Sequence, residues 1–161
     1  MNYNYNMPAP TDPKKAHFMF MDDMKFLQKA ILYHPTENKF LILKRRPEEL
    51  HRPNTWDLPG GNITYPEEHT DGILREIKEE TGLAVTDLRP IQVRTNYNNE
   101  EKIYYLFIGH IGKSASGVVA LSEEHTEYKW VTKEEFLKLG SADFLIDLVS
   151  QSPSSQPFEY R

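Results

Sequence analysis

Residues 61–83 read GNITYPEEHTDGILREIKEETGL, and the second half of this stretch has the pattern of an amphipathic helix. At about 100° per residue, Ile73, Leu74 and Ile77 fall on one apolar stripe. Glu76, Glu79 and Glu80 gather beside it, because residues three and four apart are neighbours on a helix. Gly82 is placed to take the left-handed conformation that ends the helix. Three like charges on one face repel, so the arrangement calls for a cation. Arg75 reaches Glu79 at a spacing of four, but one arginine leaves excess negative charge. Hard divalent cations such as magnesium take carboxylate oxygens and bridge them to substrate phosphates. For Glu79 and Glu80 alone, a solvated acidic face is the ordinary meaning of such a charge run.

The whole pattern is more specific. It runs Gly61, five residues, Glu67, seven residues, Arg75 and Glu76, an apolar Ile77, one residue, Glu79 and Glu80, one residue, then Gly82 and Leu83. This resembles the signature box of the Nudix hydrolases, with every defining position filled. The preceding residues 56–61, WDLPGG, resemble the usual lead-in. The resemblance implies an α/β fold, the Nudix-type α/β/α sandwich with a central mixed sheet. It also implies magnesium- or manganese-dependent hydrolysis of a nucleoside diphosphate linked to another moiety. Gly72 stands where a small alanine is usual. Glycine costs about 1 kcal/mol against alanine inside a helix, yet keeps close packing possible.

The same resemblance assigns roles. Glu76, Glu79 and Glu80 would hold two or three Mg2+ or Mn2+ ions, and the Gly60 carbonyl would join the shell. Glu76 is the best choice of general base, with Glu79 and the orienting Arg75 as further catalytic residues. Glu67 lies at the helix start, where an acid also favours the helix dipole, so a structural role competes. Gly61 and Gly82 are structural, and the Pro-Gly-Gly turn at 59–61 needs glycine's φ freedom. Glu124 lies six residues before Trp130, a spacing at which relatives carry a loop glutamate that reaches the metals. Glu123 and Glu127 are alternatives, and a solvated loop acid is the plainer reading. Arg46, thirteen residues before Pro59, stands near the place where some nucleotide-cleaving relatives bind phosphate with arginine. With Lys44 and Arg45 it also reads as an ordinary basic cluster.

Composition sets outer bounds. The chain has 161 residues, 39% hydrophobic and 27% charged, which suits one globular domain with a sizeable core. No apolar run is long enough to span a membrane, and the N-terminus lacks the basic-then-apolar pattern of a secretory signal. There is no cysteine, which removes disulfides and cysteine-zinc sites and fits a reducing cytoplasm. The net charge of −5 argues against nucleic acid polymers. A small phosphorylated nucleotide-type substrate stays open, because bound metal inverts the local charge. A monomer or homodimer is expected. The six histidines (17, 34, 51, 69, 110 and 125) show no zinc-like spacing and read as structural or exposed.

Along the chain, residues 1–15 read as a flexible arm, 16–150 as the catalytic domain and 151–161 as a flexible tail. Residues 17–21 add a strand or a packing segment. Residues 26–33 and 39–44 form a hairpin around Pro35, and 56–58 a short strand. Strands are expected at 86–96, 102–111 and 127–131, with a small, polar, flexible loop at 112–117. Helices are expected at 133–139 and 143–149.

The leading reading is a metal-dependent pyrophosphohydrolase, with a nucleoside triphosphate as the default substrate. Nucleotide sugars and dinucleoside polyphosphates are alternatives. A nucleotide-sensing domain without catalysis is the rival from another class, but such domains lose box glutamates and this chain keeps them all. Isoprenyl diphosphate isomerisation on this fold uses a cysteine, which is absent.

Overall fold

The computed structural model describes residues 23–158. Within them the hairpin forms as its turn residues predict: β1 (Asp23–Tyr33) passes antiparallel into β2 (Phe40–Arg45), with Tyr33 opposite Phe40. There follow β3 (Trp56–Asp57), α1 (His69–Thr81), β4 (Val85–Asn98), β5 (Ile103–Ser114), β6 (His125–Val131), α2 (Lys133–Lys138) and α3 (Asp143–Gln151). The strands make one sheet in the order β3-β2-β1-β5-β4, and β6 pairs with β2. β1 and β5 are parallel while the other pairs are antiparallel, so the sheet is mixed. The expected arm at 1–15 and the segment at 17–21 lie outside the described residues.

Strand alternation builds two cores from one sheet. Ile31 and Tyr33 of β1, with Phe40 and Ile42 of β2, pack against Phe136 of α2 and Leu145, Leu148 and Val149 of α3. Their neighbours Ala30, Leu32, Leu41 and Leu43 point the other way, onto Ile73 and Ile77 of α1. This is an α/β/α sandwich. Each fully buried Leu or Ile here contributes roughly 1.5–3 kcal/mol of transfer free energy. Leu74, placed on the apolar stripe of α1 by its spacing, is only half-buried.

Helix α1 is well specified at its ends. The Glu68 side chain caps the start by accepting from the Thr70 amide. Gly82 closes the end at φ 70°, the left-handed conformation expected of it. Lys78 Nζ donates to the Gly82 carbonyl at 2.8 Å, where the helix dipole favours a cation. Gly72 is explained by its neighbour: a Cβ there would sit 3.0 Å from Glu67 Oε1.

Two expectations are corrected. Residues 112–114 are not loop but the end of β5, because they pair with Leu32 and Tyr33 of β1 and with Val85 and Thr86 of β4, and a Cβ on Gly112 would crowd Val85. The segment after α3 is packed rather than loose as far as Phe158, whose ring meets Tyr33 edge-on at 6.0 Å. The Lys133 ammonium holds the Ser152 carbonyl at 2.7 Å in the same region.

Candidate active site

The Pro-Gly-Gly turn runs beside β1 like a short extra strand. The Gln28 amide donates to the Gly61 carbonyl, the Ala30 amide to the Pro59 carbonyl and the Ile63 amide to the Phe26 carbonyl, each at 2.9 Å. Gly60 has φ 124°, and a Cβ there would collide with the Gln28 carbonyl. A Cβ on Gly61 would strike the Glu76 carboxylate at 2.7 Å. Both glycines therefore allow the turn to sit between β1 and the acidic face of α1.

Two buried carboxylates face this turn with opposite fates. Asp57 is fully buried and touches three cations: Lys29 at 3.1 Å, Arg45 at 3.3 Å and Arg52 at 2.9 Å. Burial opposes its ionisation, but these charges prevail and hold the carboxyl below its usual range. Glu80 is 6% exposed and accepts from the Gly60 amide at 2.8 Å. Burial pushes its carboxyl up to about 8, with Lys29 and the Gly60 bond opposing and Asp57 and Glu76 adding to the rise. Glu76 is also raised, first by burial, although Arg75 opposes. The Glu76–Glu80 pair is short of positive charge, whereas Asp57 is not.

Arg75 organises the outer acids. Its Nε and Nη2 hold Glu67 at 3.0 and 2.9 Å, and it reaches Glu76 and Glu79 at 3.0 Å each. The Arg75 bonds, helped by one accepted from the Thr64 amide, hold the Glu67 carboxyl down to about 2. Glu67 is thus the clamp that orients Arg75. Glu79 is more exposed than its two companions and does not line the cleft over the turn, which Glu76 and Glu80 do.

That cleft encloses about 850 Å³ and brings Glu124 to the same space as Glu76 and Glu80. The loop bearing Glu124 is pinned to the end of α1, by Ala120 N to Thr81 O at 2.8 Å and Ser122 N to Glu80 O at 3.0 Å. Of the other two acids in that segment, Glu127 pairs with Lys129 at 3.2 Å, and neither it nor Glu123 lines the cleft. Arg46 does not line the cleft either, whereas Arg45 and Arg52 do. The β2–β6 register shifts between Lys44 and Arg45, which changes the direction of the following side chains. Arg52 sits at φ 53°, lies over the Phe144 ring at 5.3 Å, and has a buried Nη1 with no partner among the described residues. Lys25, Leu27 and Lys29 project to this face from β1, and Tyr105 and Phe107 continue it on β5.

Sequence reasoning gave no part in the site to Lys29, Asp57, Arg45, Arg52 or the buried His125, which lies 3.9 Å from Glu80. The available signal was polarity inside apolar runs, Lys29 in FLQKAILY and Asp57 in WDL, since a buried polar residue is the informative exception.

Residues 28–149 match the family model described as the NUDIX domain. The chain belongs to the Nudix family. A curated Nudix relative, nucleoside triphosphatase NudI of Salmonella arizonae, is 32% identical over 106 residues, 60% of this chain and 75% of that protein. A crystal structure of a MutT protein from Methanosarcina mazei superposes with TM-score 0.68 at 26% identity, covering 80% of this chain and 92% of that one. The MutT NUDIX hydrolase from Burkholderia pseudomallei, at 19% identity, shares the fold with TM-score 0.71 over 82% of this chain and all of its own. The Nudix assignment makes the chain a pyrophosphohydrolase acting on phosphoric anhydrides.

The donor set suits the hard divalent cation that Nudix chemistry uses. It is all oxygen, and two of its carboxyls are raised, first of all by burial. Among the described residues no three acids or histidines already converge on one point, and Arg75 engages Glu76 and Glu79 at 3.0 Å each.

Proposed function

We propose that this Nudix protein hydrolyses nucleoside triphosphates to a nucleoside monophosphate and pyrophosphate, using Mg2+ or Mn2+. The observation that carries the reading is Glu80, a buried carboxyl with too little counter-charge, beside Glu76 on a cleft also lined by Arg52 and Lys25. The name of the Salmonella relative, nucleoside triphosphatase, favours this substrate class.

Glu76, Glu80 and Glu124 would hold the ions, with Glu79 joining if Arg75 releases it. The ions supply charge neutralisation of the diphosphate and a more acidic water. Glu76 Oε would take the proton from the attacking water. Arg75 and Glu67 keep the helix acids in register. Arg52, which lines the cleft, places a guanidinium charge beside the phosphates. The phenyl rings of Phe107 and Phe144, 5.1 Å apart, form an apolar wall farther along the cleft. The setting we assign is the cytoplasm, and no described helix is long and apolar enough to cross a membrane.

The test is a hydrolysis screen with added Mg2+ over nucleoside triphosphates, nucleotide sugars and dinucleoside polyphosphates, read as product phosphate species. Triphosphates should be turned over best, and dialysis against a chelator should abolish turnover. Preference for another class would replace the substrate, and full activity after chelation would end the metal-dependent reading.

A further inference from the structure

β1 sends one ammonium into the interior, and it ends at the active-site turn. Lys29 is 3% exposed. Its Nζ donates to Asp57 Oδ2 at 3.1 Å, to the Leu58 carbonyl at 3.0 Å and to the Gly60 carbonyl at 2.7 Å. An ammonium has three donors, so all are committed. These acceptors lie on β3 and on the turn, which makes Lys29 the tie between β1 and the backbone that seats Glu80.

The Gly60 carbonyl is the atom that the family resemblance would give to a metal. Here it already carries the shortest of the three Lys29 bonds. A carbonyl oxygen has two lone pairs, but a divalent ion on the second would share one oxygen with the ammonium and be repelled by it at close range. Giving up the Gly60 bond would leave a buried ammonium with one donor unpaired, since its other two are held by Asp57 and the Leu58 carbonyl. Its counter-charge is built in, on Asp57, which Arg45 and Arg52 also contact.

We infer that Lys29 is a resident cation of the site: it keeps the Gly60 carbonyl when metal binds, and the divalent ions rest on the Glu76, Glu80 and Glu124 carboxylates without that carbonyl. Lys29 is a positioning residue, acting through the turn and through its charge. The inference rests on the metal-dependent reading above.

The full chain is labelled with 15N-lysine, and the side-chain ammonium signals are followed by NMR during a Mg2+ titration. Lys29 is assigned by the signal missing from Lys29→Arg. A slowly exchanging Lys29 ammonium should be seen without metal and should survive saturation, while the Gly60 amide shifts as Glu80 takes the ion. Loss of the ammonium signal while the Gly60 amide responds would overturn the inference alone. No response anywhere to Mg2+ would overturn the metal-dependent reading and this inference with it. A merely structural lysine is separated by Mn2+ binding to Lys29→Met, measured calorimetrically without substrate. Removing a resident cation should tighten Mn2+ binding by about tenfold. Unchanged or weaker binding in a folded variant would overturn the inference. If Lys29→Met does not fold, the wild-type titration decides.

Discussion

Glu80 Oε2 accepts a hydrogen bond from the Gly60 amide at 2.8 Å, so the last acid of the helix is seated by the turn that precedes it. A glutamine can keep that bond through its carboxamide oxygen while losing the charge. Glu80→Gln should therefore fold normally and lose turnover by about 10²-fold or more, as when a catalytic electrostatic contribution is removed. Glu67→Gln should lose less, since Glu67 acts through Arg75. Steady-state kinetics of both variants check this. Small, equal losses would return the cluster to a solvated acidic face.

The same acid shapes stability without metal. Its folded value of about 8 lies above the ordinary 4.5, so the folded chain holds a proton that the unfolded chain has released. That contribution is full below about pH 4.5 and is lost as pH rises through about 8. His110 works the other way: burial, its largest influence, takes it from 6.5 to about 4, so its contribution is present above 6.5 and lost as pH falls toward 4. Melting curves with chelator should decline on both sides of an intermediate optimum. Glu80→Gln should flatten only the alkaline side, by an effect on the order of a few kcal/mol. An alkaline decline that Glu80→Gln leaves untouched would mean that the acid is hydrated in solution.

Glu124 shares the cleft with Glu76 and Glu80, but its carboxylate is exposed. Glu124→Gln should lower turnover about tenfold or more while leaving the melting temperature nearly unchanged, because an exposed acid adds little to folding. Glu123→Gln and Glu127→Gln serve as neighbours that do not line the cleft. A deficit in either of them, with Glu124→Gln normal, would move the role to that residue.

Arg52, not Arg46, should govern substrate affinity. Arg52→Ala removes a guanidinium charge that lines the cleft and is expected to raise KM about tenfold, the scale of a lost charged hydrogen bond. Arg46→Ala should leave KM where it was. The reverse pattern would restore the assignment that the sequence alone suggests.

Much of the scaffold was legible. Ile73 and Ile77 fixed the face of α1, Gly82 its end, and the aromatic run 103–111 announced β5, because those signals are local. What escaped was decided by partners distant in the chain. Gly112 reads as loop until Val85 and Leu88 are seen to need its missing Cβ. Phe158 reads as tail until Tyr33 receives it. Lys29 and Asp57 each look like a blemish in an apolar strand, and only their 3.1 Å contact makes them a unit. Arg46 reads as the phosphate-binding arginine, yet Arg45 and Arg52 are the ones that line the cleft, where Asp57 holds both. The box positions, in contrast, combine short-range spacing with chemistry, and Glu76 and Glu80 do converge on the cleft.

The parallel pairing of β1 with β5 has a consequence for how the protein is made. Asp23 lies opposite Ile103 and Tyr33 opposite Lys113, so the central strand leaves the ribosome about eighty residues before its partner. At about 5–20 residues per second, the apolar segment 30–33 waits roughly 4–16 seconds with one side unclaimed. The helix bearing the acids is complete well before that, attached to a sheet that cannot yet close. Nascent chains stalled just short of β5 should therefore be the ones that chaperones hold and proteases cut, and release should come abruptly once residue 113 has emerged.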